Sequence, residues 1–61
     1  MRYKLMVEVE RFDGSLFKQC VRHLTEEEAK DKELIHRLIQ NYLKHLGHGY
    51  YIVDWYLDYA K

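Results

Sequence analysis

The chain contains no proline, a single cysteine, three glycines and no excess of either charge. Each absence narrows the possibilities. One cysteine, Cys20, forbids an internal disulfide, so this is not a small scaffold held by cross-links. With Met1 opening the chain and no export pattern over Met1 to Val9, a free thiol favours a reducing, cytoplasmic setting. The chain is accordingly expected to be the complete product of a short gene. Ten basic residues balance ten acidic ones. That balance argues against nucleic-acid binding driven by overall field, and against a strongly acidic mimic of DNA. No run approaches the twenty or so apolar residues of a membrane span. There is no repeat and no low-complexity tract, and 61 residues make one domain, 1–61.

What is present is periodicity, punctuated by Gly14, Gly47 and Gly49. Over 2–11, Tyr3, Leu5, Val7 and Val9 alternate with Arg2, Lys4, Glu8 and Glu10, the period of a half-buried strand. Phe12-Asp13-Gly14 interrupts it, and residues 15–24 resume strand character. A two-residue turn at Asp13-Gly14 would oppose Val9 to Lys18 and Leu5 to Arg22, apolar against charged. A three-residue loop with Gly14 in the left-handed position instead pairs Val9 with Phe17, Val7 with Gln19, Leu5 with Val21 and Tyr3 with His23. On the reverse face it pairs Glu8 with Lys18 and Met6 with Cys20, so this register is preferred.

Thr25-Glu26-Glu27-Glu28 has the form of a capping box at the start of a helix, 25–46. Leu34, Ile35, Leu38, Ile39, Tyr42, Leu43 and Leu46 form one stripe at helical period. Glu26–Lys30, Glu28–Lys32 and Glu33–Arg37 are spaced as i,i+4 ion pairs, and Gly47 suits the C-cap. Residues 50–59 are a third, aromatic-rich strand.

The expected fold is α+β: one two-layer β-β-α-β domain, with a three-stranded antiparallel sheet of order 2-1-3 and one helix on one face. The alternative order is 1-2-3. A single helix roofs one side of such a sheet. Tyr3, Leu5, Val7, Val9, Phe17, Val21 and most of Tyr51, Val53, Trp55, Leu57 and Tyr59 are assigned beneath it. Met6, Leu16, Cys20, Leu24, Tyr50, Ile52 and Tyr56 are assigned to the open face. Arg2, Lys4, Glu8, Lys18, Arg22, Asp54 and Asp58 are interspersed among them. Large apolar side chains on an uncovered face mark a contact surface. The partner-binding candidates are Met6, Lys18, Cys20, Arg22, Tyr50, Ile52, Asp54 and Tyr56.

No constellation points to catalysis, a metal or a cofactor. Cys20 and His23 are three apart on a strand and should face opposite ways, whereas a nucleophile and base must touch. His36 and His45 fall on opposite flanks of the helix, and His45 with His48 offers two ligands where zinc takes three or four. Asp54 and Asp58 lie about 13 Å apart along a strand, too far to share a proton or an ion. A chain this short has little room for a substrate pocket. The expectation is a non-catalytic protein-binding module, of the kind found among small regulators and inhibitors encoded by phages or mobile elements, for example against a host defence enzyme. It would bind through the open aromatic face or by adding a strand at an edge. Two other readings use the same face. One is single-stranded nucleic-acid binding, with Tyr50 and Tyr56 stacking on bases while Arg2, Lys4, Lys18 and Arg22 hold phosphates. The other is a structural homodimer.

Overall fold

A computed structural model describes residues 2–60, with the backbone alone described for Ala60. Strand β1 (Arg2–Arg11) is followed by β2 (Leu16–Thr25), a four-residue helix α1 (Glu26–Ala29), the main helix α2 (Lys32–Leu46) and β3 (Tyr50–Ala60). The sheet order is β2-β1-β3, with β1 antiparallel to both neighbours. This is the expected 2-1-3 arrangement, with helix packed on one face.

The hairpin loop is the three-residue one. The Arg11 N–H donates to the Ser15 carbonyl at 2.8 Å and the Gly14 N–H to the Arg11 carbonyl at 2.9 Å, with Gly14 at φ 87°. A side chain at Gly14 would strain that left-handed backbone. Asp13 Oδ1 accepts from the Ser15 hydroxyl at 2.7 Å and from its N–H at 3.0 Å. The Ser15 side-chain bond first, then the backbone one, holds the Asp13 carboxyl below its ordinary range.

The expected register is present from Val9 opposite Phe17 through Met6 opposite Cys20. There it shifts. A bulge at Val21 leaves Leu5 opposite Arg22 and Tyr3 opposite Leu24, in place of the expected Val21 and His23. The extra residue reverses the facing of everything beyond it. Leu24, assigned from its alternation to the open face, is therefore in the core at 1% exposure. The gain is a large aliphatic side chain beneath the helices in place of an imidazole.

The expected single helix over 25–46 is two. Thr25 does cap the first. Its hydroxyl accepts from the Glu28 N–H at 3.2 Å, and the Glu28 carboxylate accepts from the Thr25 N–H at 3.0 Å. After Ala29 the chain leaves helical geometry, and Asp31 caps α2 by accepting from the Leu34 N–H at 3.1 Å. Asp31 competes with the backbone for hydrogen bonds, as short polar side chains do, and here it restarts the helix. The break separates Glu26 from Lys30 and Glu28 from Lys32 as helical neighbours. Glu28 instead pairs with Arg22 at 3.0 Å, the one ion pair among the described residues, so the expected i,i+4 pairs are not formed. The backbone bond from Thr25 chiefly lowers the Glu28 pKa; desolvation opposes it, and the Arg22 charge and the Thr25 side chain add smaller lowering contributions. Gly47 ends α2 at φ 85°, its N–H donating to the Leu43 carbonyl at 3.3 Å.

The core comprises Leu5, Val7 and Val9 of β1, Leu24 of β2, and Ile35 and Ile39 of α2. Phe17, Val21, Leu38, Tyr42, Leu46, Tyr50, Ile52 and Leu57 surround it, half-buried. Burial raises the Tyr42 phenol above its ordinary value.

Candidate surface on the outer strand β3

The third strand carries a second bulge, at Val53. Val9 faces Ile52, whereas Glu8 faces Asp54. Before the bulge, Tyr50 and Ile52 share the helix side with Arg11 and Val9, and both pack against the core. Their expected place on the open face is overturned. Had the alternation run unbroken, Tyr51 and Val53 would have occupied the core-facing positions. Instead they are exposed, Tyr51 at 63%. After the bulge, the strand faces as expected. Trp55, Leu57 and Tyr59 stand opposite Val7, Leu5 and Tyr3 on the helix side, and Asp54, Tyr56 and Asp58 opposite Glu8, Met6 and Lys4 on the open face.

The open face can be read as rows across β2, β1 and β3. They run Leu16–Glu10–Tyr51, Lys18–Glu8–Asp54, Cys20–Met6–Tyr56 and His23–Lys4–Asp58. Of the eight partner-binding candidates, the structure brings together Met6, Lys18, Cys20, Asp54 and Tyr56. Arg22, Tyr50 and Ile52 are not among them. Arg22 lies opposite Leu5 and reaches Glu28 of α1. The Lys18 ammonium sits 5.7 Å from the centre of the Tyr56 ring, spanning the central strand. Three of the four rows carry a charged residue, and the apolar ground on this face is broken into islands.

Cys20 and His23 also depart from expectation. The Val21 bulge puts both on the open face, in adjacent rows, and not on opposite faces. The hydrogen bond at this point runs from Gln19 Nε2 to the Cys20 carbonyl at 3.4 Å. Cys20 itself is a free, half-buried thiol. Among the described residues, no three of His, Cys, Asp and Glu gather as a metal site would require, and no pocket opens between the elements.

A larger apolar surface lies where sequence alone did not place it. Helix α2 has 15 residues, about 22 Å of length at 1.5 Å each. The strands have ten or eleven, about 35 Å. The helix therefore roofs only part of its side of the sheet. Trp55 at 40% and Tyr59 at 50% exposure are left partly open on that side, flanking the half-buried Leu57, with the Tyr59 ring edge-on to Tyr3 at 5.7 Å. The sequence alone does not show this gap, because a single helix over 25–46 would span about 33 Å, close to the length of the strands.

The outer edge of β3 is unpaired. Arg11 points its N–H at Ser15, so the antiparallel alternation turns the backbone groups of Val9 and Val7 toward β2, and those of Glu8 and Met6 toward β3. Asp54 and Tyr56, opposite Glu8 and Met6, turn their own groups inward to β1, which leaves Trp55 and Leu57 facing outward. The Trp55 N–H is accordingly taken by its neighbour's carboxylate, Asp54 Oδ1, at 2.8 Å. Aromatic side chains thus flank an open backbone ladder on both faces of one strand. No protein-family model matches the chain, and no curated protein or solved structure matches it either.

Proposed function

We propose that this chain is a non-catalytic protein-interaction module, a small cytoplasmic regulator or inhibitor of the type encoded by phages or mobile elements, acting by occupying a partner's surface. The observation that carries this reading is β3. It is an outer strand with Tyr51, Val53, Trp55, Tyr56 and Tyr59 all exposed, while six side chains among the described residues form the buried core. Exposed aromatics grouped on one element suit the anchors that dominate binding energy. An unpaired strand edge adds main-chain hydrogen bonds to that. With Tyr50 and Ile52 packed against the core on the helix side, the weight of the proposal falls on this strand and its rim, not on the broad sheet face.

The test is capture of partners from the native host with the chain as bait, followed by quantitative binding of the Trp55→Ala and Tyr59→Ala double variant. We expect at least a tenfold loss, with Leu16→Ala near wild type. Undiminished binding by the double variant refutes the surface.

A second reading, single-stranded nucleic-acid binding, has one supporting observation, the Lys18 ammonium beside the Tyr56 ring. Glu8 and Asp54 share that row and would repel phosphates. Titration of a labelled oligonucleotide at low salt separates the two, and we expect no binding.

No helix among the described residues is long and apolar enough to cross a membrane.

A further inference from the structure

We propose that the outer edge of β3 accepts an extended segment of a partner protein that carries basic residues four apart, with apolar residues next to them. This rests on the protein-binding reading above and specifies its site and ligand.

Two observations meet at this edge. The first is the outward-facing backbone of Trp55 and Leu57, which among the described residues pairs only with the Asp54 carboxylate, at the Trp55 N–H. The second is the sorting of charge between the strands. The charged residues of β3 are Asp54 and Asp58, both acidic and both on the open face. Those of β2 are Lys18 and Arg22, both basic. A strand laid antiparallel along β3 places its side chains directly opposite those of β3. Cations would face Asp54 and Asp58, a residue between them would face Tyr56, and apolar side chains would face Trp55 and Leu57 on the helix side. Acid opposite base is the favourable cross-strand arrangement. An arriving N–H···O ladder also needs the Trp55 N–H, and the carboxylate that gives it up is the one an incoming cation would meet.

A second copy of the chain fits this edge less well. Pairing β3 with β3 offers acid to acid and no cation. In β2, Lys18 and Arg22 are four apart, matching Asp54 and Asp58, but the Val21 bulge swings Arg22 to the helix side, where Glu28 holds it at 3.0 Å. Both devices blunt self-pairing, as exposed edges require.

The experiment uses the full chain and two capped peptides. One has the core Lys-Val-Thr-Val-Lys, which reads the same in both directions, and the other has Glu in place of each Lys. The readouts are the fluorescence of Trp55, the chain's single tryptophan, and amide exchange at Trp55 and Leu57. We expect the basic peptide to bind at least tenfold tighter than the acidic one, to weaken with salt and to slow exchange at both amides. Asp58→Lys should cut that preference severalfold. Asp54→Lys with Asp58→Lys should invert it, a gain that a misfolded variant would not show. Equal binding of the two peptides, or no slowing at Leu57, overturns the proposal. So does self-association of the chain with protection at the same amides, which would make a second copy the occupant. A captured partner that shields Trp55 but is not displaced by the basic peptide refutes charge-matched strand addition and leaves the wider protein-binding reading standing.

Discussion

The two outer strands flank the same central strand, run in the same direction and carry one bulge each, yet they end in different situations. In β2 the bulge at Val21 drives Leu24 under the helices, and the strand runs straight into α1, tied there by Arg22 and Glu28. In β3 the bulge at Val53 drives Tyr50 and Ile52 inward at one end, while Trp55 and Tyr59 stay partly exposed at the other. Cations decorate the first strand, acids and aromatics the second. The same irregularity thus completes a core on one side and opens a surface on the other. The difference lies in whether a helix is available to cover what the bulge turns over. Bulges re-aim side chains without changing the pairing of the sheet, which is why the strand order is as expected and the facing is not.

The sharpest way to break this contrast is at Leu24. Leu24→Ala removes a buried side chain and should cost about 2–5 kcal/mol in a denaturant titration. Trp55→Ala, on the exposed strand, should cost less than about 1.5 kcal/mol and leave the midpoint near wild type. Equal losses would mean that the two strands are equally buried. A smaller effect concerns the end of α2. A Cβ on Gly47 meets no atom within 4 Å, so Gly47→Ala is penalised by its backbone alone, whose positive φ with extended ψ is nearly reserved for glycine, at about 1–3 kcal/mol by thermal unfolding.

The link between β2 and α1 gives the next prediction. Thr25→Ala should cost about 1 kcal/mol. Glu28 has its pKa lowered in the folded chain. Its contribution is therefore present above the ordinary carboxylate pKa, near 4.5, and is lost as pH falls through the lower folded value. Stability of the wild type should decline below that pH more steeply than that of Glu28→Gln, which carries no carboxylate to titrate. Parallel acid profiles would show that the cap carries no such linkage. The smallest expected effect is on stability in Asp54→Asn with Asp58→Asn, within about 0.5 kcal/mol as for most surface changes. The same variant should self-associate more readily in sedimentation, because it removes the charges of Asp54 and Asp58 from the exposed edge of β3.

Much of the fold was legible because it rests on local rules. Alternation marked the strands, the Thr25 box and Gly47 bounded the helical segment, and Phe12-Asp13-Gly14 set the hairpin register. The missed break at Asp31 was written in the sequence as an N-cap residue, but the surrounding charged stretch reads equally well as continuous helix. The bulges were not legible. Alternation over β3 is consistent with either face, since Tyr50, Ile52, Tyr51 and Val53 are all large and apolar or aromatic. Which pair is buried is decided by packing against the core, not by pattern. The candidate surface moved for the same reason. Its aromatic content was visible, while its location depended on one extra residue and on how far α2 extends.

The account turns on β3 having one paired and one free edge, and residue-resolved amide hydrogen exchange on the isolated monomer reads this directly. Asp58 and Tyr56, bonded inward to β1, should exchange slowly, and Leu57 and Tyr59, turned outward, should exchange fast. Uniformly slow exchange from Tyr56 to Tyr59 in a sample shown to be monomeric would mean that something within the chain already covers this edge, and the proposed surface would not exist.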